Sequence, residues 1–201
     1  MTARAPQQTQ DRRSAIGSIV IARHGQPDAD RSVLLNWREY ADWWSAYDRT
    51  GLKAGQSPPA ALLAHARNAQ VIFASTLPRA IRTAEAAAQG KAVLTDAVFV
   101  EAPLPPPPIP GKRTPRAWGV WARTAWWFGR AAGQETRRQA EQRAEAAAAT
   151  LAARALRGEN VLLCAHGWFN RMLRPVLYRQ GWRCVADGGD SYWSHRVYEK
   201  Q

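Results

Sequence analysis

Two histidines in this chain each come directly after a short apolar run and directly before a glycine. His24 follows the run at 18–23, and His166 follows the run at 161–165. Apolar runs of this length that end in a glycine turn are typical of buried parallel strands. Because the carboxyl ends of parallel strands meet at one edge of a sheet, we expect the two histidines to share one site.

The rest of the chain alternates strand and helix signals over 201 residues, of which 46% are hydrophobic. This length suits one domain with a substantial core, and the alternation favours an α/β fold. We predict a three-layer, doubly wound, mostly parallel sheet with helices on both faces, in one domain over 15–201 after a flexible tail over 1–14. Further strands are expected at 71–74, 98–100 and within 183–199, and helices at 34–48, 57–68 (capped by Ser57), 78–85, 134–157 and 168–180.

Composition argues against several classes of function. The formal net charge is +12, but the arginines are dispersed, so we expect a solvated basic surface rather than a nucleic-acid partner. Two cysteines make no disulfide framework, and no His/Cys/Asp spacing indicates a metal, so we expect neither metal nor cofactor. Because no signal peptide and no apolar run of about 20 residues is visible, we predict a soluble, cytoplasmic protein.

His24 is the candidate nucleophile of the predicted site. A neutral imidazole nitrogen can attack phosphorus and form a phosphohistidine intermediate. Fixed guanidinium groups stabilise the charge on a transferring phosphoryl group, which suits the adjacent Arg23. Arg79, where the chain enters a helix after the second strand, is the best candidate for a second arginine. His166 would add a hydrogen-bond donor to the phosphoryl group.

Three segments, in this order, resemble the histidine phosphatase superfamily, whose fold is phosphoglycerate-mutase-like. Arg23-His24-Gly25 resembles its Arg-His-Gly signature. The run Ser-Thr-Leu-Pro-Arg-Ala-Ile-Arg-Thr-Ala-Glu at 75–85 is similar to its second-arginine motif, and 165–171 resembles its C-terminal His-Gly segment. Each segment follows a predicted strand, so the set is far more specific than a lone Arg-His-Gly tripeptide.

The resemblance implies a phosphate pocket made of Arg23, His24, Arg79, His166 and Gly167. The family also uses a carboxylic acid to protonate the leaving oxygen, and Glu101 at the end of the third predicted strand is our candidate, with a surface glutamate as the alternative. Many members carry Glu-Thr/Ser after the signature, whereas this chain has Gln26-Pro27-Asp28. Gln26 is expected to reach the phosphoryl group through its amide. The Gly-Trp-Glu-Gly segment of the mutases is absent, which argues against a glycolytic mutase.

An insertion rich in proline and tryptophan, over 103–130, is expected on the substrate side of the site. Seven of the thirteen prolines lie between 103 and 115, which favours a rigid extended loop, with a PxxP ligand for a partner domain as the alternative. We rank three roles for Trp118, Trp121, Arg123 and Trp126: a helical lid, then a pocket wall, then a peripheral membrane contact. If these side chains line the pocket, replacing Trp121 and Trp126 by alanine should change selectivity among phosphate esters.

The predicted function is that of a phosphomonoesterase that hydrolyses a small-molecule phosphate ester through His24, with Glu101 as proton donor. A protein phosphohistidine phosphatase is the second hypothesis, and loss of Glu101 should harm it less because its leaving group is better. A non-catalytic basic binding module on the same fold is the third. That module would show steeply salt-dependent binding and would not need His24.

Overall fold

One mixed sheet organises the part of the chain that the computed structural model describes, residues 16–201. The predicted tail over 1–14 lies outside the described residues. The strands are β1 (Ile19–Arg23), β2 (Val71–Ser75), β3 (Leu94–Asp96), β4 (Val161–Ala165), β5 (Trp182–Asp187) and β6 (His195–Lys200). Their order across the sheet is β3-β2-β4-β1-β6-β5. The pairings among β3, β2, β4 and β1 are parallel, and β6 pairs antiparallel with β1 and with β5.

Helices cover both faces of this sheet, as the sequence predicts. They are α1 (Trp37–Asp48), α2 (Ala60–Asn68), α3 (Pro78–Ala88), α4 (Pro115–Trp127), α5 (Arg137–Ala155) and α6 (Gly167–Arg179). Alternate residues of the central strands feed two cores, since side chains of a strand point to opposite faces. One core joins Ile21 and Leu163 to α5 and α6, and the other joins Val20 and Leu162 to α2 and α3. Within residues 16–201, no helix combines the length and the apolar character needed to cross a bilayer.

Capping explains where several helices begin. The Asn36 side chain accepts from the amides of Arg38 and Glu39, and Glu39 bonds back to the Asn36 amide, so α1 begins at Trp37 rather than at 34. Leu35 is unavailable to the helix because its backbone pairs with that of Arg113. The predicted Ser57 cap is wrong, because α2 begins at Ala60 and its N-cap position is Pro59, which makes no side-chain capping bond.

The third strand was predicted at the wrong place. Residues 98–100 do not form a strand, since Ala97–Phe99 is a 3₁₀ turn and the strand is the preceding Leu94–Asp96. The Asp96 side chain accepts from the Val98 amide at 2.8 Å and thereby turns the chain out of the sheet. Phe99 is buried against Phe73 of β2, so the apolar character of this segment reflects core packing.

Two of the four tryptophans of α4 belong to the core and do not line the cavity. Trp118 and Trp126 are fully buried, and their indole N–H groups donate to the carbonyls of Leu35 and Glu135 at 2.6 and 2.8 Å. Trp121 points away from both and is 49% exposed. The residues before α4, including the four consecutive prolines, form no helix, which agrees with the predicted extended loop.

This packing predicts that two tryptophans of α4 contribute very differently to the free energy of unfolding. Trp126→Ala should lower the free energy of unfolding by about 3–5 kcal/mol, because it leaves a cavity and an unpaired Glu135 carbonyl. Trp121→Ala should change it by less than about 1 kcal/mol, because the side chain is half exposed. Urea denaturation of the two variants measures both values. Equal losses would show that the helix packs differently.

Candidate active site

The two histidines meet at the carboxyl edge of the central strands. Arg23 of β1 lies in register with Ala165 of β4, and the His24 amide donates to the Ala165 carbonyl at 2.9 Å. The rings of His24 and His166 are consequently close, with centroids 5.2 Å apart. Both residues are buried. The sheet therefore brings together two groups that are far apart in the sequence.

The His24 ring is held in the form of a nucleophile. Its Nδ1 lies 2.7 Å from the Gly25 carbonyl, which can only accept, so Nδ1 carries the hydrogen and Nε2 keeps its lone pair. Burial, and next the positive charge of Arg79, hold the pKa of His24 well below its usual range. The imidazole is therefore neutral at neutral pH, with Nε2 free to attack.

Gly25 holds the turn that carries His24, and no larger residue fits there. A Cβ at this position would lie 2.4 Å from the Trp193 ring. The Gly25 amide donates to the Thr83 hydroxyl at 2.9 Å, and that hydroxyl donates to the Arg79 carbonyl at 2.7 Å. These bonds tie the nucleophile's turn to α3, so the positions of His24 and Arg79 are coupled.

His166 is oriented by Ser75 at the end of β2. The Ser75 hydroxyl accepts from the Leu77 amide at 3.3 Å and lies 2.8 Å from His166 Nε2. Nε2 is the one acceptor that residues 16–201 offer to the hydrogen of this hydroxyl, which places the ring hydrogen on Nδ1. Nδ1 is buried and has no partner within the described range 16–201. Burial, and next the charge of Arg79, keep the pKa of His166 well below its usual range, so the ring is a neutral donor.

Arg79 is a buried cation with one nitrogen atom, Nε, that has no partner among residues 16–201. It is 1% exposed, its guanidinium bonds the Asp48 carboxylate at 3.0 Å and the Tyr47 carbonyl at 3.3 Å, and it lies 4.6 Å from the Tyr47 ring centroid. Burial raises the pKa of Asp48, and Arg79 opposes that rise. Arg79 Nε is buried without a partner.

Arg23, like Arg79, is fixed by a backbone carbonyl and an aromatic ring and has an Nε atom without a partner among residues 16–201. Its guanidinium donates to the Asp190 carbonyl at 2.6 Å and lies 4.4 Å from the Tyr192 ring centroid. Gly167 allows this approach, because a Cβ there would lie 3.1 Å from Arg23 Nε. Arg23 Nε is also buried without a partner. Three buried donor atoms without a partner among residues 16–201, on Arg23, Arg79 and His166, thus lie at the same edge of the sheet as the neutral His24 ring. Unpaired buried donors are costly, which indicates that an anion belongs here.

Glu101 lies where α6 begins and also lines the cavity above the histidines. Its Oε1 accepts from the Ala102 and Phe169 amides at 3.0 and 2.8 Å, and its Oε2 accepts from the Trp168 amide at 3.1 Å. Since each carboxylate oxygen can accept two hydrogen bonds, Oε2 has capacity for one more. The carboxylate is thereby fixed in place with one site left for a ligand.

The cavity has a volume of about 570 Å³ and is strongly cationic. Of the predicted site residues, its lining includes Arg23, His24, Arg79, Glu101, Arg123 and Gly167. His166 is not part of the lining, but its ring lies next to that of His24. Burial lowers the pKa of Arg123 to about 10, against the opposing charge of Glu101, so this arginine stays charged at neutral pH. The guanidinium donates to the carbonyls of Ala102 and Pro103, which holds it beside Glu101.

Three predicted substrate contacts fall elsewhere. Gln26 is exposed and lies outside the lining, because its backbone amide and carbonyl are bonded to the Gln56 side chain. Trp126 lies in the core and Trp121 on the surface, so neither forms a wall of the cavity. Arg123 is the member of that predicted group that does reach the site.

Several residues of the site were missed in the sequence. In the sequence, Trp37, Tyr40, Trp44 and Tyr47 recur at helical spacing on one face of the helix predicted over 34–48, which favours ordinary packing. In the structure, Tyr40, Trp44 and Tyr47 all line the cavity. Asp48 ends that helix and anchors Arg79. Ser75, which contacts His166, is the first residue of the second-arginine motif at 75–85. Its place in that motif could have identified it as a site residue from the sequence.

Comparison with known proteins is consistent with this geometry. The model of the histidine phosphatase superfamily (branch 1) matches residues 19–182. A mycobacterial glucosyl-3-phosphoglycerate phosphatase, solved with VO3, is 24% identical, has a TM-score of 0.54, and is covered over 81% of each chain. A structure named mycobacterial hydrolase 1 is 22% identical, with a TM-score of 0.53 and coverage of 81% of this chain and 79% of that one.

A more distant likeness extends over a larger share of the chain. A phosphoserine phosphatase from Entamoeba histolytica, in complex with phosphoserine, is 12% identical, with a TM-score of 0.50 and coverage of 90% of this chain and 89% of that one. No curated protein sequence matches this chain. At these identities the structural likeness establishes a shared fold.

The buried neutral histidines predict a specific pH dependence of stability. Because folding lowers the pKa of His24 and His166, the unfolded chain binds more protons below about pH 6.5, and stability falls as the pH drops through that range. Each ring contributes at most about 1.4 kcal/mol per pH unit. Urea denaturation between about pH 5 and 7 should therefore show a shallower slope for His24→Asn.

His65→Asn is the matched control for this experiment. His65 is only partly buried and packs against His195, with ring centroids 4.9 Å apart. Its removal should leave more of the slope intact than removal of His24. A slope unchanged in His24→Asn would mean that this ring is protonated in the folded protein.

Proposed function

Since this chain belongs to the histidine phosphatase superfamily (branch 1), we propose that it is a phosphatase that hydrolyses a phosphate ester through a phosphohistidine intermediate on His24. The observation that carries the proposal is the set of three unpartnered buried donors around a neutral imidazole. A phosphoryl group supplies the anionic oxygens that these donors lack, and its phosphorus is the electrophile that Nε2 requires.

In the first step, His24 Nε2 attacks phosphorus and the bond between phosphorus and the ester oxygen breaks. The N–P bond replaces the P–O bond, and the leaving oxygen takes a proton from the Glu101 carboxyl group. Glu101 suits this role because three amides fix its position and Oε2 keeps one free position, which the proton occupies before it is transferred. A general acid in such a position contributes about 10²–10⁴-fold to the rate.

In the second step, a water molecule attacks the phosphorus of the phosphohistidine. Glu101, now a carboxylate, takes a proton from that water, the N–P bond breaks, and inorganic phosphate leaves. The electron pair of that bond returns to Nε2, and both His24 and Glu101 regain their starting protonation states. The cycle consumes one ester and one water and yields one alcohol and one phosphate.

Charge stabilisation falls to groups that do not move during the reaction. Arg79 is anchored by Asp48 and Tyr47, and Arg23 by the Asp190 carbonyl, so neither guanidinium has to reorganise when negative charge develops. The Nδ1–H of His166, oriented by Ser75, donates to a third phosphoryl oxygen. Because these donors are buried, their electrostatic effect is stronger than in water.

The size and walls of the cavity indicate the kind of alcohol that the ester carries. At about 570 Å³ the cavity is large enough for a leaving group well beyond the phosphoryl group. One wall is aromatic, with Tyr40, Trp44 and Tyr47 from α1 and Trp168 from α6. We therefore propose a phosphomonoester whose alcohol has an apolar or aromatic body.

Replacing the nucleophile tests the proposal directly. His24→Ala should abolish phosphate release from a panel of phosphomonoesters, because no other lining group can form the N–P bond. His195→Ala is the control, since this histidine lies at the start of β6 and is absent from the cavity lining. Release that persists in His24→Ala would overturn the proposed intermediate.

The role of Glu101 predicts a dependence on the leaving group. Glu101→Gln should slow release from an alkyl ester about 10²–10⁴-fold and from an aryl ester with a good leaving group far less. A phosphohistidine peptide, whose leaving group is also good, should behave like the aryl ester and tests the second hypothesis. Equal slowing of all three substrates would assign Glu101 to structure at the start of α6 rather than to proton transfer.

A further inference from the structure

Helix α4 presents apolar side chains on two opposite sides. Its inner side, with Trp118 and Trp126, is buried in the core. The opposite side, which we call the aromatic face, consists of four exposed apolar residues: Val120 (64% exposed), Trp121 (49%), Trp127 (39%) and Phe128 (84%). A surface helix ordinarily has a polar outer side. Contiguous exposed apolar surface of this kind indicates a binding partner.

The chain around the aromatic face is basic and lacks acidic residues. Between 112 and 134 there is no Asp or Glu, whereas five cations occur: Lys112, Arg113, Arg116, Arg123 and Arg130. Lys112 is paired with Glu39, and Arg123 is partly buried beside Glu101. Arg113, Arg116 and Arg130 form no ion pair with another residue of the described range 16–201. The Arg137 guanidinium also lies 3.6 Å from the Trp127 ring centroid, but its charge is paired with Glu141. A surface of this composition attracts a partner that is apolar and negatively charged.

We propose that the aromatic face docks this protein onto an anionic lipid bilayer. Tryptophan and phenylalanine bury well at the depth of the lipid headgroups, and arginine binds lipid phosphates through paired N–H groups. A protein partner would have to supply its own acidic and apolar patch, whereas an anionic bilayer supplies both everywhere. The combination of aromatic side chains with unopposed arginines therefore favours lipid.

Docking in this way brings the mouth of the cavity to the membrane. Arg116, Gly119 and Arg123 lie on a third side of α4 and line the cavity, and Val120 belongs both to that lining and to the aromatic face. A substrate held at the membrane surface could then enter the cavity that contains His24 while it stays close to the bilayer. The docking itself does not depend on the proposed function.

An apolar groove continues the aromatic face. It has a volume of about 620 Å³ and is lined by Trp127 of the face and by Trp168, Met172, Pro175 and Val176 of α6. Acidic residues at its rim are paired within the protein, Glu141 with Arg137 and Glu145 with Arg179. The rim therefore carries no unopposed negative charge that would repel anionic lipid.

Sedimentation with lipid vesicles tests the proposal on the full chain. At low ionic strength, wild-type protein should pellet with vesicles containing about 30% phosphatidylglycerol at least tenfold more than with pure phosphatidylcholine. The double variant Trp121→Ser/Phe128→Ser should lose about tenfold of that partitioning. Arg113→Gln/Arg130→Gln should reduce binding to the anionic vesicles and leave the weak binding to phosphatidylcholine unchanged.

Tyr178→Ser is the matched control, because this aromatic residue of α6 is 62% exposed but lies away from the aromatic face. Trp121 and Phe128 are outside the cavity lining, so release of phosphate from a water-soluble ester should be the same in the double variant and in wild type. That assay also reports separately on the proposed function. A wild type that releases phosphate but does not pellet overturns the docking alone.

Two further results would also overturn the docking. The first is equal pelleting by wild type and by Trp121→Ser/Phe128→Ser. The second is a wild type that sediments as a dimer in solution while the double variant sediments as a monomer, because the aromatic face would then bind a second copy of the chain. Sedimentation velocity without lipid, run on the same preparations, distinguishes these cases.

Discussion

The parallel pairing of β1 with β4 is the constraint on which the site depends. Both strands are central, and their alternate side chains enter the cores on both faces of the sheet. The register that satisfies those two cores also places Arg23 beside Ala165, and so sets His24 beside His166. A slip of one residue would reverse every side chain of a strand between the faces. The same strand register is therefore needed for the packing of the core and for the position of the two histidines. This register, and no direct hydrogen bond between the rings, sets the distance between His24 and His166.

The electrostatics of the site follow from how its cations are anchored. Arg79 and Arg23 are fixed largely by carbonyl groups and aromatic rings, and one carboxylate, Asp48, pairs with Arg79. Carboxylates paired with both guanidinium groups would cancel the positive charge that attracts an anion, whereas carbonyls and π faces fix a guanidinium without cancelling its charge. The same positive field disfavours protonation of both imidazoles, so cation placement and nucleophile activation reinforce each other.

The sequence was most informative where chemistry and a strong local pattern coincide. The runs before His24 and His166 are continuous and apolar, and they became the strands β1 and β4. The proline that opens α3 located Arg79 correctly. The errors at 98–100 and at Trp126 share one cause, since an apolar segment can pack in the core without forming a strand or a wall. Tertiary contacts decide such cases, and periodicity alone does not contain them.

Helix α4 shows why the substrate side was harder to predict than the phosphate side. Because a helix turns through 100° per residue, one segment supplies three surfaces: Trp118 and Trp126 face the core, Arg116 and Arg123 face the cavity, and Trp121 faces outward. The composition of such a helix shows that it is aromatic and basic. It does not show which residues face the core, the cavity or the solvent. The side is set by the indole bonds of Trp118 and Trp126 to Leu35 and Glu135, which orient the whole helix. The α4 residues that line the cavity are thus set by two buried tryptophans that are not part of its lining.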